Sequence, residues 1–267
     1  MCLMGETVYG VALDDVTVLD FRRDGFAVLR RAFDASCLAD EMERVFADAF
    51  LSDVVHRGSG GIRFSSVPMM SGPTPISTSL ADALAESARR LLGRAVLPGR
   101  AKGTRYFGES DWHTDSDLDI PSIGFVAYFE PLRGGRGALE VRPGSHRTDV
   151  GQEHAAFAVE TEPGDVIAFD EHLAHGSVGG DQRRQWRVDF IADPENPREE
   201  ALLRLSFAHI FDVSWDGGYD VDRYPSYGDS WQAAHRVWAK RLRDLGVIEL
   251  AREQEAVMRE RANGPRL

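Results

Sequence analysis

Apolar and polar positions along the chain change their period near residue 95. Upstream, apolar side chains recur at helical spacing: Leu38, Met42, Val45, Phe46 and Ala49 form one stripe, and Asp34 is placed to cap its start. Leu84, Ala88, Leu91 and Leu92 form a second, which predicts a helix over 80–92 beginning near 77–79 and ending at Gly93, where a left-handed cap is easily made. A shorter helix over 16–23 feeds a strand over 25–30. Residues 51–76 follow neither period. There His56-Arg57-Gly58-Ser59-Gly60-Gly61 and Ser71-Gly72-Pro73-Thr74-Pro75 bracket a stretch that reads as a lid or binding loop.

Downstream, short apolar runs separated by turn residues predict strands over 96–97, 102–107, 110–115, 122–129, 138–142, 165–169 and 187–191. The run over 122–129 is nearly all apolar, as suits a strand buried on both faces. Pro143-Gly144 and Pro163-Gly164 have the residues of type II turns, so the sheet keeps turning back on itself. The expected fold is α+β with a mainly β core, in one domain: N-terminal helices and lid over 1–94, β core over 95–211, and a C-terminal loop and helices over 212–267. The last helices, through Trp231, Ala234, Trp238 and Leu242 to Gly246 and then to about residue 263, would pack on the core or on a second subunit, which allows a homodimer.

A hydrophobic content of 43% is that of a globular protein able to bury a full core. The net charge of −12 argues against a nucleic-acid or anionic-membrane surface, since phosphate neutralisation needs clustered positive charge. A neutral or cationic small molecule suits this field better. No apolar run approaches membrane length, the first residues have no leader design, and two cysteines cannot make a disulfide framework, so a cytoplasmic location is expected. Lysine occurs only at Lys102 and Lys240, a bias typical of GC-rich bacterial genomes.

Candidate chemistry centres on Ser110-Asp111-Trp112-His113-Thr114-Asp115. On a regular strand His113 and Asp115 share a face and offer an imidazole and a carboxylate to one ion. Oxygen-activating iron(II) is commonly held by two His and one carboxylate. About one His-x-Asp triplet is expected by chance in a chain of this composition, so its weight depends on a second histidine arriving from elsewhere. His172 and His175 are the candidates.

Five pieces, in order, resemble the phytanoyl-CoA dioxygenase-like group of Fe(II)- and 2-oxoglutarate-dependent dioxygenases: Phe21-Arg22-Arg23-Asp24-Gly25-Phe26-Ala27-Val28-Leu29; Trp112-His113-Thr114-Asp115; Gly137-Ala138-Leu139 leading to Pro143-Gly144-Ser145-His146; Gly164-Asp165-Val166 with Phe169; and His175-Gly176-Ser177. The resemblance spans about residues 20–192. It implies a double-stranded β-helix (jelly-roll, cupin-like), iron(II) at its mouth, and 2-oxoglutarate and O2 as co-substrates. It assigns the metal to His113, Asp115 and His175; His172, three residues earlier, would face the other side of a regular strand. His56, His146, His154, His209 and His235 are left as surface or satisfied core residues.

In the family an arginine eleven residues past the second His commonly binds the co-substrate's distal carboxylate, and here that position is Trp186. A turn one residue longer over 178–182 would bring Arg187 into place, with Arg184 the alternative among Arg183, Arg184 and Arg187. Ser177 resembles the family's hydroxyl partner for the same carboxylate. The intact Asp115 argues against a halogenase, whose relatives lack that carboxylate. For substrate, Asp117 and Asp119 share strand parity with Asp115, and an acidic, aromatic loop carries Asp212, Trp215 and Asp216. These carboxylates favour a polar, neutral or cationic molecule, such as an amino sugar or cyclitol in a bacterial natural-product tailoring step. A cupin-like metal-dependent isomerase or hydrolase, or a non-catalytic β-helix binding protein, are the alternatives.

Overall fold

The change of period near residue 95 separates two ways of using one sheet. The computed structural model describes residues 8, 11–49, 56–57, 63–147, 155–212 and 218–263. Its N-terminal part comprises α1 (Asp15–Asp24), β1 (Phe26–Leu29), α2 (Ala35–Asp48), β2 (His56–Arg57), β3 (Arg63–Pro68) and α3 (Pro75–Leu92). Eight core strands follow β4 (Val96–Pro98): β5 (Lys102–Phe107), β6 (Ser110–His113), β7 (Ser122–Tyr128), β8 (Leu139–Val141), β9 (Phe157–Val159), β10 (Val166–Asp170), β11 (His175–Ser177) and β12 (Gln182–Ala192). Helices α4 (Pro197–Ile210), α5 (Asp229–Ala234), α6 (Arg236–Asp244) and α7 (Val247–Asn263) close the chain.

All pairings are antiparallel. The larger sheet runs β1-β10-β7-β12-β5-β3-β2, with β4 also on β12, and the smaller runs β6-β11-β8-β9. The eight core strands divide equally between the two sheets, and the result is a double-stranded β-helix. Val126, Tyr128, Leu139, Val141, Ile167 and Phe169 fill the space between the sheets. The other face of the larger sheet is covered by helices: Trp186, Val188 and Phe190 belong to one core with Leu80, Leu84 and Ala88 of α3. The Trp186 indole N–H donates to Ser77 Oγ at 2.7 Å, which satisfies a polar atom inside this layer.

Local chemistry explains the helix ends. Asp14 caps α1 through Thr17 N at 2.7 Å, and Asp34 caps α2 through Ser36 N at 2.9 Å. Gly25 and Gly93 adopt the left-handed C-cap conformation at φ 84° and 74°. Helix α3 begins at Pro75, earlier than its apolar stripe predicts, and its N-cap residue makes no side-chain cap. Glu41 of α2 supplies one instead: its fully buried carboxyl accepts from Ile76 N at 3.0 Å and Ser77 N at 2.8 Å. Glu41→Ala should therefore cost about 1–3 kcal/mol, the penalty for orphaning buried donors. Urea denaturation checks this, and an unchanged midpoint would show that the two N–H groups find other partners.

Two segments differ from expectation. Six residues of the supposed lid, Arg63–Pro68, form strand β3, which pairs with β5 over its full length; Gly58 to Gly61 lie outside the described residues. Helix α4 has no apolar stripe of clear helical period, yet Asn196 caps it through Glu199 N at 3.0 Å and Pro197 occupies its first turn. That capping signature is present in the sequence. Leu203 and Phe207 anchor α4 to the core, and the terminal helices pack there too, through Ala239, Leu242, Val247, Ile248 and Ala251.

Candidate metal and co-substrate site

Strand pairing brings the two histidines together. His113 on β6 lies opposite His175 on β11, with ring centroids 4.3 Å apart. Strand β6 stops at His113, so Asp115 reaches the site through a turn rather than by strand parity. Asp115 N and Ser116 N both donate to Glu171 O, at 2.9 and 3.0 Å, which fixes that turn. Asp115 Oδ1 lies 3.6 Å from His113 Nε2, and its Oδ2 lies 3.6 Å from His175 Nε2. The three ligand atoms fall within 4.8 Å of one another.

The imidazoles are oriented for a metal. His113 Nδ1 lies 2.7 Å from Asp111 O and His175 Nδ1 lies 2.9 Å from Leu173 O. A carbonyl can only accept, so each Nδ1 carries the proton and each Nε2 presents its lone pair to the cluster. Burial keeps His175 below its usual pKa, while the hydrogen bond to Asp115 raises that of His113. Burial opposes ionisation of Asp115, but Arg187 and the two histidines hold its carboxyl well below the usual range. Two imidazoles and one carboxylate on one face form a donor set suited to iron(II).

His172 stands apart from this cluster. Its Nδ1 lies 2.9 Å from Asp170 Oδ1 and its Nε2 lies 2.8 Å from Leu118 O, so both ring nitrogens are used. The Asp170 contact raises its pKa to about 9. A raised folded pKa means that the stabilisation is complete below the unfolded value of about 6.5 and is lost as pH rises through about 9. With the side chain 28% exposed, we expect about 1–2 kcal/mol between those limits after screening. His172→Gln should flatten that alkaline limb in denaturation curves taken from pH 6 to 10. Persistence of the limb in the variant would assign it to another group.

The arginines are arranged differently from the expectation. Arg187, expected on the distal carboxylate of 2-oxoglutarate, is occupied by three carboxylates: Nη1 donates to Asp115 Oδ2 at 2.6 Å, Nη2 to Glu171 Oε1 at 2.8 Å and Nε to Asp189 Oδ1 at 2.5 Å. Gly124 leaves room for it, since a Cβ there would come within 3.2 Å of Nη2. Arg184 points away from the β-helix interior and pairs with Glu130 and Glu43.

Arg183 is the guanidinium beside Ser177. Its Nη2 donates to Ser177 Oγ at 2.6 Å and its Nη1 to Gly108 O at 2.6 Å, while its buried Nε has no partner. Among the described residues no carboxylate lies within ion-pair distance of it. The physical reason is the turn after β11: residues 178–181 close it tightly, with Gly179 and Gly180 at positive φ. Strand β12 therefore starts early and Arg183 falls at the depth of Ser177. Arg187, on the same face four residues later, returns to the level of the metal ligands. Trp186 faces the helices.

A cavity of about 550 Å³ opens over His113 and Asp115, lined in part by Phe64, Lys102, Tyr106, Asp117, Leu118 and His209. Asp117 and Asp212 both border it. Asp119 instead pairs with Arg198 at 2.8 Å on the exposed surface, because the chain beyond His113 is not a strand. Trp215 and Asp216 lie outside the described residues. His209, read as surface or core, and Leu205 and Ser206 reach the cavity because α4 crosses its mouth. No helix among the described residues is long and apolar enough to cross a membrane.

This fold and donor set define a class, the jelly-roll oxygenases that use iron(II) and 2-oxoglutarate. The phytanoyl-CoA dioxygenase (PhyH) family matches residues 21–185, more than half of the chain, which therefore belongs to that family. No match is found among curated protein sequences. Among solved structures, AviO1 from Streptomyces viridochromogenes Tue57 is 23% identical with a TM-score of 0.55, over 70% of this chain and 98% of that one. EctD from S. alaskensis with bound Fe is 25% identical with a TM-score of 0.57, over 67% and 77%. SnoK, a non-haem alpha-ketoglutarate-dependent carbocyclase from nogalamycin biosynthesis, is 15% identical with a TM-score of 0.59, over 70% and 87%.

Proposed function

We propose that this chain, acting as one dioxygenase domain, holds iron(II) through His113, Asp115 and His175 and 2-oxoglutarate through Arg183 and Ser177, and oxidises an unactivated C–H bond of a polar small molecule. The observation that carries this is the pairing of a three-ligand cluster with a buried, un-neutralised guanidinium on the other sheet, bonded to Ser177 two residues along the strand that carries His175. When bound, iron and 2-oxoglutarate with O2 supply the oxidant. The chain's own residues position and exclude. Arg187 fixes Asp115 Oδ2, so the carboxylate keeps one orientation toward the histidines. Arg183 and Ser177 offer a forked donor and a hydroxyl to a distal carboxylate. Phe64, Leu118 and Leu205 give the cavity apolar wall that limits water.

Asp117 at the cavity border suits a hydroxyl or amine of the substrate. A tailoring step on an amino sugar or cyclitol agrees with that, and with the likeness to SnoK, described as belonging to nogalamycin biosynthesis. The test is anaerobic titration of the iron(II)-loaded protein with 2-oxoglutarate, followed by the weak visible charge-transfer band of the chelate. A saturable band is expected. Iron binding without any band would overturn the assignment of the co-substrate.

A further inference from the structure

Four cationic side chains stand on or near the inner wall, and three have partners. Arg187 is held by Asp115, Glu171 and Asp189, Arg183 meets Ser177 and Gly108, and Arg100 donates to Ile210 O at 3.1 Å. Lys102 is different. It starts β5, pairs in register with Arg187 on β12 and with Pro68 on β3, and borders the same cavity as His113 and Asp115. Its ammonium makes no hydrogen bond or ion pair with any described residue. The neighbouring acids, Asp115 and Asp189, are already bonded to Arg187. Burial, with Arg187 and Arg100 nearby, lowers its pKa, the condition of a cation that lacks an adjacent counter-charge.

We infer that Lys102 anchors an anionic oxygen group of the substrate beside the metal ligands. This rests on the oxygenase assignment above and narrows its substrate to an acidic member of that class: an amino sugar, cyclitol or other small polar molecule that carries a carboxylate or phosphate ester, with its hydroxyl or amine groups toward Asp117. A cavity of about 550 Å³ holds such a molecule. A half-buried cation without an adjacent counter-charge is costly, and a docking oxyanion supplies both the charge and the acceptors that the protein withholds. A neutral sugar would leave Lys102 without its charge partner and is disfavoured at this wall. The acids at the border, Asp117 and Asp212, set which end of an amphoteric molecule enters first.

The experiment uses the iron(II)- and 2-oxoglutarate-loaded protein under nitrogen, titrated calorimetrically at constant ionic strength with acetate, methyl phosphate and neutral acetamide. Saturable binding of at least one anion is expected. Lys102→Met should weaken it by at least about tenfold, Lys102→Arg should largely restore it, and acetamide should not distinguish the variants. Absence of saturable anion binding in the wild type, or equal binding in Lys102→Met, overturns the inference. So does a tenfold rise in the 2-oxoglutarate dissociation constant of Lys102→Met, which would assign the lysine to the co-substrate. The chelate band in the same samples reports independently on the metal and co-substrate assignment.

Discussion

Alanine at His113, Asp115 or His175 should weaken iron(II) binding by more than about 100-fold and reduce succinate formation to background. Partners of metal ligands already cost about 10- to 100-fold in affinity or activity, and these positions are the ligands themselves. The three atoms lie within 4.8 Å of one another, and both histidines are held in the tautomer that frees Nε2, so nothing else in the cluster can replace a lost donor. His172→Ala, three residues from His175, should bind iron as the wild type does, because both of its ring nitrogens are committed to Asp170 and Leu118. Equilibrium dialysis with iron(II) measures the affinities, and 2-oxoglutarate turnover measures the rest. Iron retention in His175→Ala with loss in His172→Ala would reverse the choice of histidine.

The grouping of His175, rather than His172, with His113 and Asp115 was legible in the sequence, and its neighbours show what was not. Apolar period and turn chemistry give α2, α3 and the core strands, because packing on one face dictates those positions. They also give the approach of His113 to His175, through order of strands. Asp115 lies beside the histidines for a different local reason from the one expected: β6 ends before it, and two backbone bonds to Glu171 O, invisible in sequence, turn it toward them. The same irregularity sends Asp119 outward to Arg198. Strand β3 was hidden because Arg63-Phe64-Ser65-Ser66 lacks a clear alternation; it is an added strand near the sheet edge, held by pairing with β5. Lys102 carried no signal at all, since a lone lysine acquires meaning only from the partners it lacks.

The arginine is where counting along the chain and the arrangement in space point to different residues, Arg187 and Arg183, and it yields the sharpest contrast between variants. Arg183→Ala should raise the 2-oxoglutarate requirement by roughly 30-fold or more with iron still bound, since a buried carboxylate that loses its charged partner costs about 2–5 kcal/mol. Arg183→Lys should recover only part of this, because an ammonium keeps the charge but not the fork. Arg187→Ala should act elsewhere. It leaves Asp115, Glu171 and Asp189 facing one another without their cation, so the expected loss is about 3–5 kcal/mol of folding stability together with weaker iron binding. Its 2-oxoglutarate affinity, measured by the chelate band at saturating iron, should stay within about threefold of wild type. The guanidinium of Arg183 already donates to Ser177 and Gly108 while its buried Nε waits without a partner. If Arg187→Ala loses 2-oxoglutarate and Arg183→Ala keeps it, the co-substrate lies along Arg187, and Arg183 only braces the turn after β11.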